Sequence, residues 1–132
     1  MIDQARILVV DDEPEVRQLV ADFLEAKGYQ VTTAASGVEA LAAVASQQPH
    51  LVLLDVMMPR MNGLEALQRI RQLDQTVGII MLTAVEDEAI AKEAMRKEAY
   101  DYITKPIDFG YLELAILTKL AQKERSPGIG SA

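Results

Sequence analysis

Short apolar runs, each closing on a polar residue, constrain this chain more than any other feature. Arg6-Ile-Leu-Val-Val10 ends at Asp11-Asp12, Leu51-Val-Leu-Leu54 at Asp55, and Val77 to Leu82 at Thr83. Gln30 to Thr33, rich in β-branched residues, and Tyr100 to Thr104, just before Lys105, read as two further strands. A strand with no polar alternation has no face for water, so it belongs inside a sheet covered on both sides. The intervening segments repeat at helical spacing. Val16, Leu19, Val20, Phe23 and Leu24 form one stripe, which Gly28 closes; Val38, Leu41 and Val44 form another behind the capping pattern Ser36-Gly-Val-Glu39, which Pro49 stops. Asn62 and Glu65 precede a stripe of Leu64, Leu67 and Ile70, a fourth helix covers roughly Glu86 to Lys97, and Asp108 caps a final helix with Ile107 and Leu112 as a staple. Five repeats of strand then helix predict a doubly wound α/β domain on a five-stranded parallel sheet with five helices.

Composition narrows the function. The 132 residues suit one domain, against about 150 as a working size. Half are apolar and a quarter charged, so a real core is expected rather than disorder. Thirteen Lys and Arg against twenty Asp and Glu give a net charge of −7, the wrong sign for a domain that binds nucleic acid directly. Without cysteine there are no disulfides, thiolate metal sites or Cys nucleophile, and the single histidine, His50, excludes imidazole clusters and is assigned no role. No apolar stretch is long enough for a signal-peptide core or a membrane span, so the expectation is a cytoplasmic protein with no membrane partner. Gly128-Ile-Gly130 lacks a following helix and is no dinucleotide loop.

Ligands of such sheets sit beyond the carboxyl ends of the strands, where strand order reverses. Asp11, Asp12, Asp55, Thr83 and Lys105 all fall at strand ends. Singly, each has a plain structural use: Asp12 as N-cap before Glu13-Pro14, Asp55 opening a turn, Lys105 as a solvated loop lysine. Together they mean more. Three carboxylates converging on one edge repel one another and call for a cation, and hard oxygens in an open site suit Mg²⁺. A divalent metal, a lysine and a hydroxyl are the parts that hold a transferring phosphoryl group, with Asp55 as nucleophile.

The runs Ile7-Leu-Val-Val-Asp-Asp-Glu-Pro14, Leu53-Leu-Asp-Val-Met-Met-Pro-Arg-Met-Asn-Gly63, Thr83-Ala84 and Tyr100-Asp-Tyr-Ile-Thr-Lys-Pro106 closely resemble the receiver domain of two-component response regulators. The intervals from Asp12 to Asp55, to Thr83 and to Lys105 are similar too. The resemblance covers residues 4–124, leaving 125–132 as a tail or the start of a linker. It implies a flavodoxin-like receiver fold with strand order 2-1-3-4-5 and a phosphorylation-dependent switch rather than an enzyme with an external substrate. By this resemblance, Asp55 takes a phosphoryl group from a sensor histidine kinase or phosphotransfer protein, becoming a 4-aspartylphosphate. Asp12, Asp55 and the Met57 carbonyl would hold Mg²⁺, with Asp11 assisting. Lys105 would pair first with Asp55 and then with the phosphoryl oxygens, the Thr83 hydroxyl would bind the phosphoryl group, and Tyr102 would turn inward behind it. Lys105-Pro106 is the expected cis peptide.

One position departs from the family. A glycine commonly precedes Ala99, and here Glu98 stands there, which puts in question the left-handed turn that ends the fourth helix. Met57 and Val85, two residues after Asp55 and Thr83, cannot orient a water, so the phosphoryl state should decay slowly. The final helix carries more apolar residues (Phe109, Tyr111, Leu112, Leu114, Ala115, Ile116, Leu117, Leu120) than one inward stripe requires. They are either core with scattered exposed leucines or a homodimer or partner surface shared with the fourth helix and fifth strand. Lys92, Arg96 and Lys97 read as solvated charge, or as intersubunit partners of acids such as Asp101. An output domain outside this chain is a further expectation. The rival classes are an Mg²⁺-dependent phosphohydrolase, against which Met57 replaces the usual second carboxylate, and a flavodoxin-like nucleotide module, against which no glycine-rich loop follows the first strand.

Overall fold

The computed structural model describes residues 4–130, with side chains as far as 122. Five strands, β1 (Arg6–Val10), β2 (Gln30–Ala34), β3 (Leu51–Leu54), β4 (Gly78–Thr83) and β5 (Asp101–Thr104), alternate with five helices among the described residues. These are α1 (Pro14–Ala26), α2 (Gly37–Gln47), α3 (Gly63–Leu73), α4 (Glu88–Arg96) and α5 (Phe109–Gly130). Every pairing is parallel and the order is β2-β1-β3-β4-β5, as expected. α5 thus runs into the segment read from sequence as a tail.

The all-apolar runs feed two cores. Leu8, Val10, Val52, Leu54, Ile79 and Met81 point to the face covered by α2, α3 and α4. Ile7, Val9, Leu51, Leu53, Ile80 and Leu82 point to the face covered by α1 and α5. Only the edge strand β2 is largely exposed.

The helix ends follow the sequence with instructive exceptions. Ser36 Oγ accepts the Glu39 N–H at 3.2 Å, while the Glu39 carboxylate reaches back to the Ala35 N–H at 3.0 Å. Asn62 Oδ1 accepts the Glu65 N–H at 2.9 Å, but the Glu65 carboxylate pairs with Arg69 instead of returning to the cap. Asp108 Oδ1 accepts the Tyr111 N–H at 3.0 Å, as a cap for α5 should. α4 starts two residues later than predicted because Asp87 caps it, accepting from Ala89 and Ile90. Two stripes rotate from their expected setting. α1 buries Val20, Ala21 and Leu24 and leaves Leu19 55% exposed; α2 buries Gly37, Ala40 and Val44 and leaves Val38 64% exposed. Small residues let both helices lie close to the sheet, and hydropathy alone underweights them.

Candidate functional site

The strand order reverses between β1 and β3, and the carboxyl ends of these strands bring the acids together. One carboxylate oxygen from each of Asp11, Asp12 and Asp55 lies within 4.8 Å of the others. Asp11 and Asp55 are buried and Asp12 is exposed. Glu13, not Asp12, is the N-cap residue of α1, and no side chain caps that helix. The structural use of Asp12 suggested by sequence is therefore absent. Lys105, half-buried after β5, places Nζ 2.8 Å from Asp11 Oδ2 and 3.6 Å from Asp55 Oδ2, with Glu13 Oε1 at 3.9 Å. Its closer partner in this state is Asp11 rather than Asp55. The Lys105-Pro106 peptide is cis.

Asp55 is fixed from several sides. Its N–H bonds to the Val10 carbonyl at 3.1 Å, and its Oδ1 accepts the Met57 N–H at 3.2 Å. Burial pushes the Asp55 carboxyl above its ordinary proton affinity, and the neighbouring Asp11 charge adds to this; the Thr83 hydroxyl, Lys105 and the Met57 N–H oppose it without prevailing. Lys105 shows the converse balance. Its burial alone favours the neutral amine, but the Asp11 hydrogen bond and the charges of Asp55, Asp11 and Glu13 outweigh burial and hold it protonated. Burial thus disfavours the ionised form of Asp55 even with Lys105 Nζ 3.6 Å away.

Thr83, fully buried at the end of β4, accepts the Val85 N–H at 3.3 Å. Tyr102 is half-buried and its hydroxyl donates to the Val85 carbonyl at 2.7 Å, tying β5 to the loop after Thr83. Burial, then Asp87 and Asp55, raise its phenol. The Met57 side chain is 64% exposed beside an open groove lined by Asp12, Val56, Met58, Pro59 and Asn62. Hard oxygen donors of three carboxylates, one side open to water, fit a divalent cation such as Mg²⁺.

Sequence reasoning missed three supports. A Cβ on Gly63 would lie 2.0 Å from the Asp55 carbonyl oxygen, so only glycine lets α3 begin against the end of β3. Arg17 donates to the Asp11 carbonyl at 2.8 Å, and the Glu13 N–H to Asp11 Oδ1 at 2.9 Å, so the turn after β1 is pinned. Gly63 stands in the quoted motif and could have been singled out there; Arg17 carries no local signal. His50, given no role, accepts the Arg6 N–H on Nδ1 at 2.9 Å and so knits β1 to the start of β3.

A five-stranded parallel sheet with this order, bearing an acidic cluster and a lysine at its switch point, defines a flavodoxin-like class of α/β domain. The family model of the response regulator receiver domain matches residues 7–117, and the chain belongs to that family, whose general function is phosphorylation-dependent switching. It is similar to the probable transcriptional regulator ycf27 of Cyanophora paradoxa, 41% identical over 123 residues, which are 93% of this chain and 51% of that protein. The chain therefore spans about half the length of that relative. A CheY-like receiver domain from Methanospirillum hungatei JF-1 superposes with TM-score 0.90 at 31% identity, covering 94% of this chain and 99% of the other. CheY in a CheX-CheY-BeF3-Mg+2 complex from Borrelia burgdorferi is similar at TM-score 0.83 and 27% identity, over 86% and 87% of the chains. No described helix is long and apolar enough to cross a membrane.

Proposed function

We propose that Asp55 is the phosphoacceptor of this receiver domain and that Mg²⁺ is its cofactor. The single observation that carries this reading is the buried Asp55 carboxylate facing Lys105 and two further carboxylates at the switch point of the sheet. A carboxylate oxygen of Asp55 attacks the phosphorus of a phosphohistidine on a partner kinase or phosphotransfer protein; the new P–O bond forms as the P–N bond breaks, and the imidazole leaves with the electron pair. Asp12 and Asp55, with the Met57 carbonyl and assistance from Asp11, are the residues that would hold Mg²⁺. Bound there, Mg²⁺ supplies positive charge that the acidic cluster lacks and that the transferring oxygens require. Lys105 neutralises phosphoryl oxygen charge, and the Thr83 hydroxyl donates to it.

The added charge then biases a two-state element. Tyr102 and the loop after Thr83, already bonded through Val85, are placed to carry that bias towards α4. Met95, Tyr111, Leu114 and Leu117, 46–60% exposed, support a homodimer or partner face built from α4, β5 and α5. Lys92, Arg96 and Lys97 already pair with Glu88 and Glu93 within α4, and Asp101 accepts the Tyr111 hydroxyl at 2.7 Å, which favours solvated charge over intersubunit pairs. Sedimentation with and without a phosphate mimic checks this face, and a monomer in both states would count against it. The domain spans residues 4–124, works in the cytoplasm and passes its signal to an output domain or partner outside it.

Incubation with a small phosphodonor and Mg²⁺, read by intact mass, tests the assignment. One phosphoryl adduct is expected on the natural chain and none on Asp55→Asn; no adduct, or one that survives the substitution, overturns it. With Met57 and Val85 unable to orient a water, the adduct should outlast seconds after the donor is removed.

A further inference from the structure

Glu98 keeps the left-handed turn that its sequence position calls into question. It follows α4 at φ 71, a region in which a residue with a Cβ is strained, by a factor of about ten in population. The Glu98 carbonyl accepts Arg71 Nη2 at 2.7 Å and Nε at 3.2 Å. The same guanidinium donates from Nη1 to the Val77 carbonyl, and at 3.5 Å to that of Asp74. One planar side chain thus joins the end of α3, the turn into β4 and the end of α4. α4 is otherwise held by Ala94, its one buried residue, by Ile90 at the edge of the core, and by an exposed bond from Lys97 Nζ to Gln68 Oε1 at 3.2 Å. Burial favours the neutral form of Arg71, but the charges of Glu98 and Asp74 oppose this, and a guanidinium remains charged at any ordinary pH.

α2 ends the same way. Gln48 adopts φ 49, and its carbonyl accepts Arg6 Nη2 at 2.9 Å, while Arg6 Nε is shared between the Gln47 carbonyl at 3.1 Å and that of Gln48 at 3.3 Å. α1 ends instead on Gly28, where φ 95 strains nothing. In this fold, a helix that closes on a left-handed residue with a side chain is tied there by an arginine fork.

We propose that Arg71 is a latch that holds the C-terminal end of α4 in a left-handed turn that Glu98 would otherwise leave. Its consequence for signalling, that the latch sets how readily α4 shifts against the sheet, rests on the switch described under Proposed function. The latch itself belongs to the resting protein and is tested there.

Amide hydrogen exchange on the full, unphosphorylated chain reads it directly. The Lys97, Glu98 and Ala99 amides bond to the Glu93, Met95 and Ala94 carbonyls and report the turn. In Arg71→Gln they should exchange about tenfold faster, while Leu53 and Ile80 in the central strands stay at their natural rates. Adding Glu98→Gly, which removes the strain but keeps the carbonyl, should restore slow exchange to the turn. Arg71→Lys keeps the charge and loses the fork; it should show the same pattern and serves if the glutamine variant does not fold. Unchanged exchange at the turn, acceleration spread equally over β3 and β4, or acceleration that survives Glu98→Gly would each overturn the proposal. If Asp55 took no phosphoryl group, the outcome at Arg71 would be unaffected.

Discussion

At Asp55, burial sets a carboxylate against its own charge, and the sign of that conflict is measurable. Its proton affinity is raised in the folded protein, so folding disfavours the ionised form. That cost is fully present above the folded pKa, declines as pH falls through it, and is gone below the ordinary value of 3.8, where both states are protonated. Asp55→Asn should therefore raise stability at pH 7, by on the order of 1 kcal/mol, with the gain shrinking as pH falls through the carboxylate range; paired thermal melts across pH check this. Asn can still accept the Met57 N–H, so the change isolates the charge. Gly63 acts on the same residue sterically. Gly63→Ala would drive a methyl into the Asp55 carbonyl, costing about 1–3 kcal/mol by denaturant midpoint and slowing phosphoryl uptake from a small donor more than a distant change of equal cost. The strand-end residues were legible in sequence because chain ends of buried strands have one direction in which to point. Gly63 could have been singled out in its motif, though not its close approach to Asp55; Arg17 was not legible, because a side chain that turns back to a carbonyl six residues earlier leaves no periodic trace.

Among the elements, the helices show where hydropathy and packing part. Leu19 and Leu24 fall in one apolar stripe of α1, yet Leu24 is fully buried and Leu19 is 55% exposed. Leu24→Ala should cost about 2–5 kcal/mol and Leu19→Ala under about 0.5, measured as a shift in urea midpoint at constant slope. The stripe predicted from large residues was off by part of a turn because Ala21 in α1 and Gly37 and Ala40 in α2 face the sheet. A helix settles on the face that allows closest approach, and small residues define that face as much as leucines do. Caps were easier to read: Ser36, Asn62 and Asp108 each accept the bond that their position predicts, because capping is local. Asp87 escaped notice because Glu86 and Glu88 flank it with similar chemistry.

For the whole molecule, a cation held by the acidic cluster as proposed would couple its binding to folding. At a hundredfold excess over its dissociation constant, Mg²⁺ should stabilise the chain by about 2.7 kcal/mol. That gain should be largely lost in Asp12→Asn and Asp55→Asn; melts with and without Mg²⁺ check it, and equal gains in the variants would place the ion elsewhere. The fold class, the strand order implied by family resemblance and the residues at the strand ends were all readable before any coordinates, since uninterrupted apolar strands admit only a sheet buried on both faces and a parallel sheet puts its chemistry at one edge. The tertiary structure alone decided that Lys105 rests nearer Asp11 than Asp55, that α1 and α2 turn their small residues inward, and that Arg71 ties down the turn at Glu98. Sequence determines which local geometries are cheap; which partner a charged side chain meets across the fold depends on distances that exist only after the chain has packed.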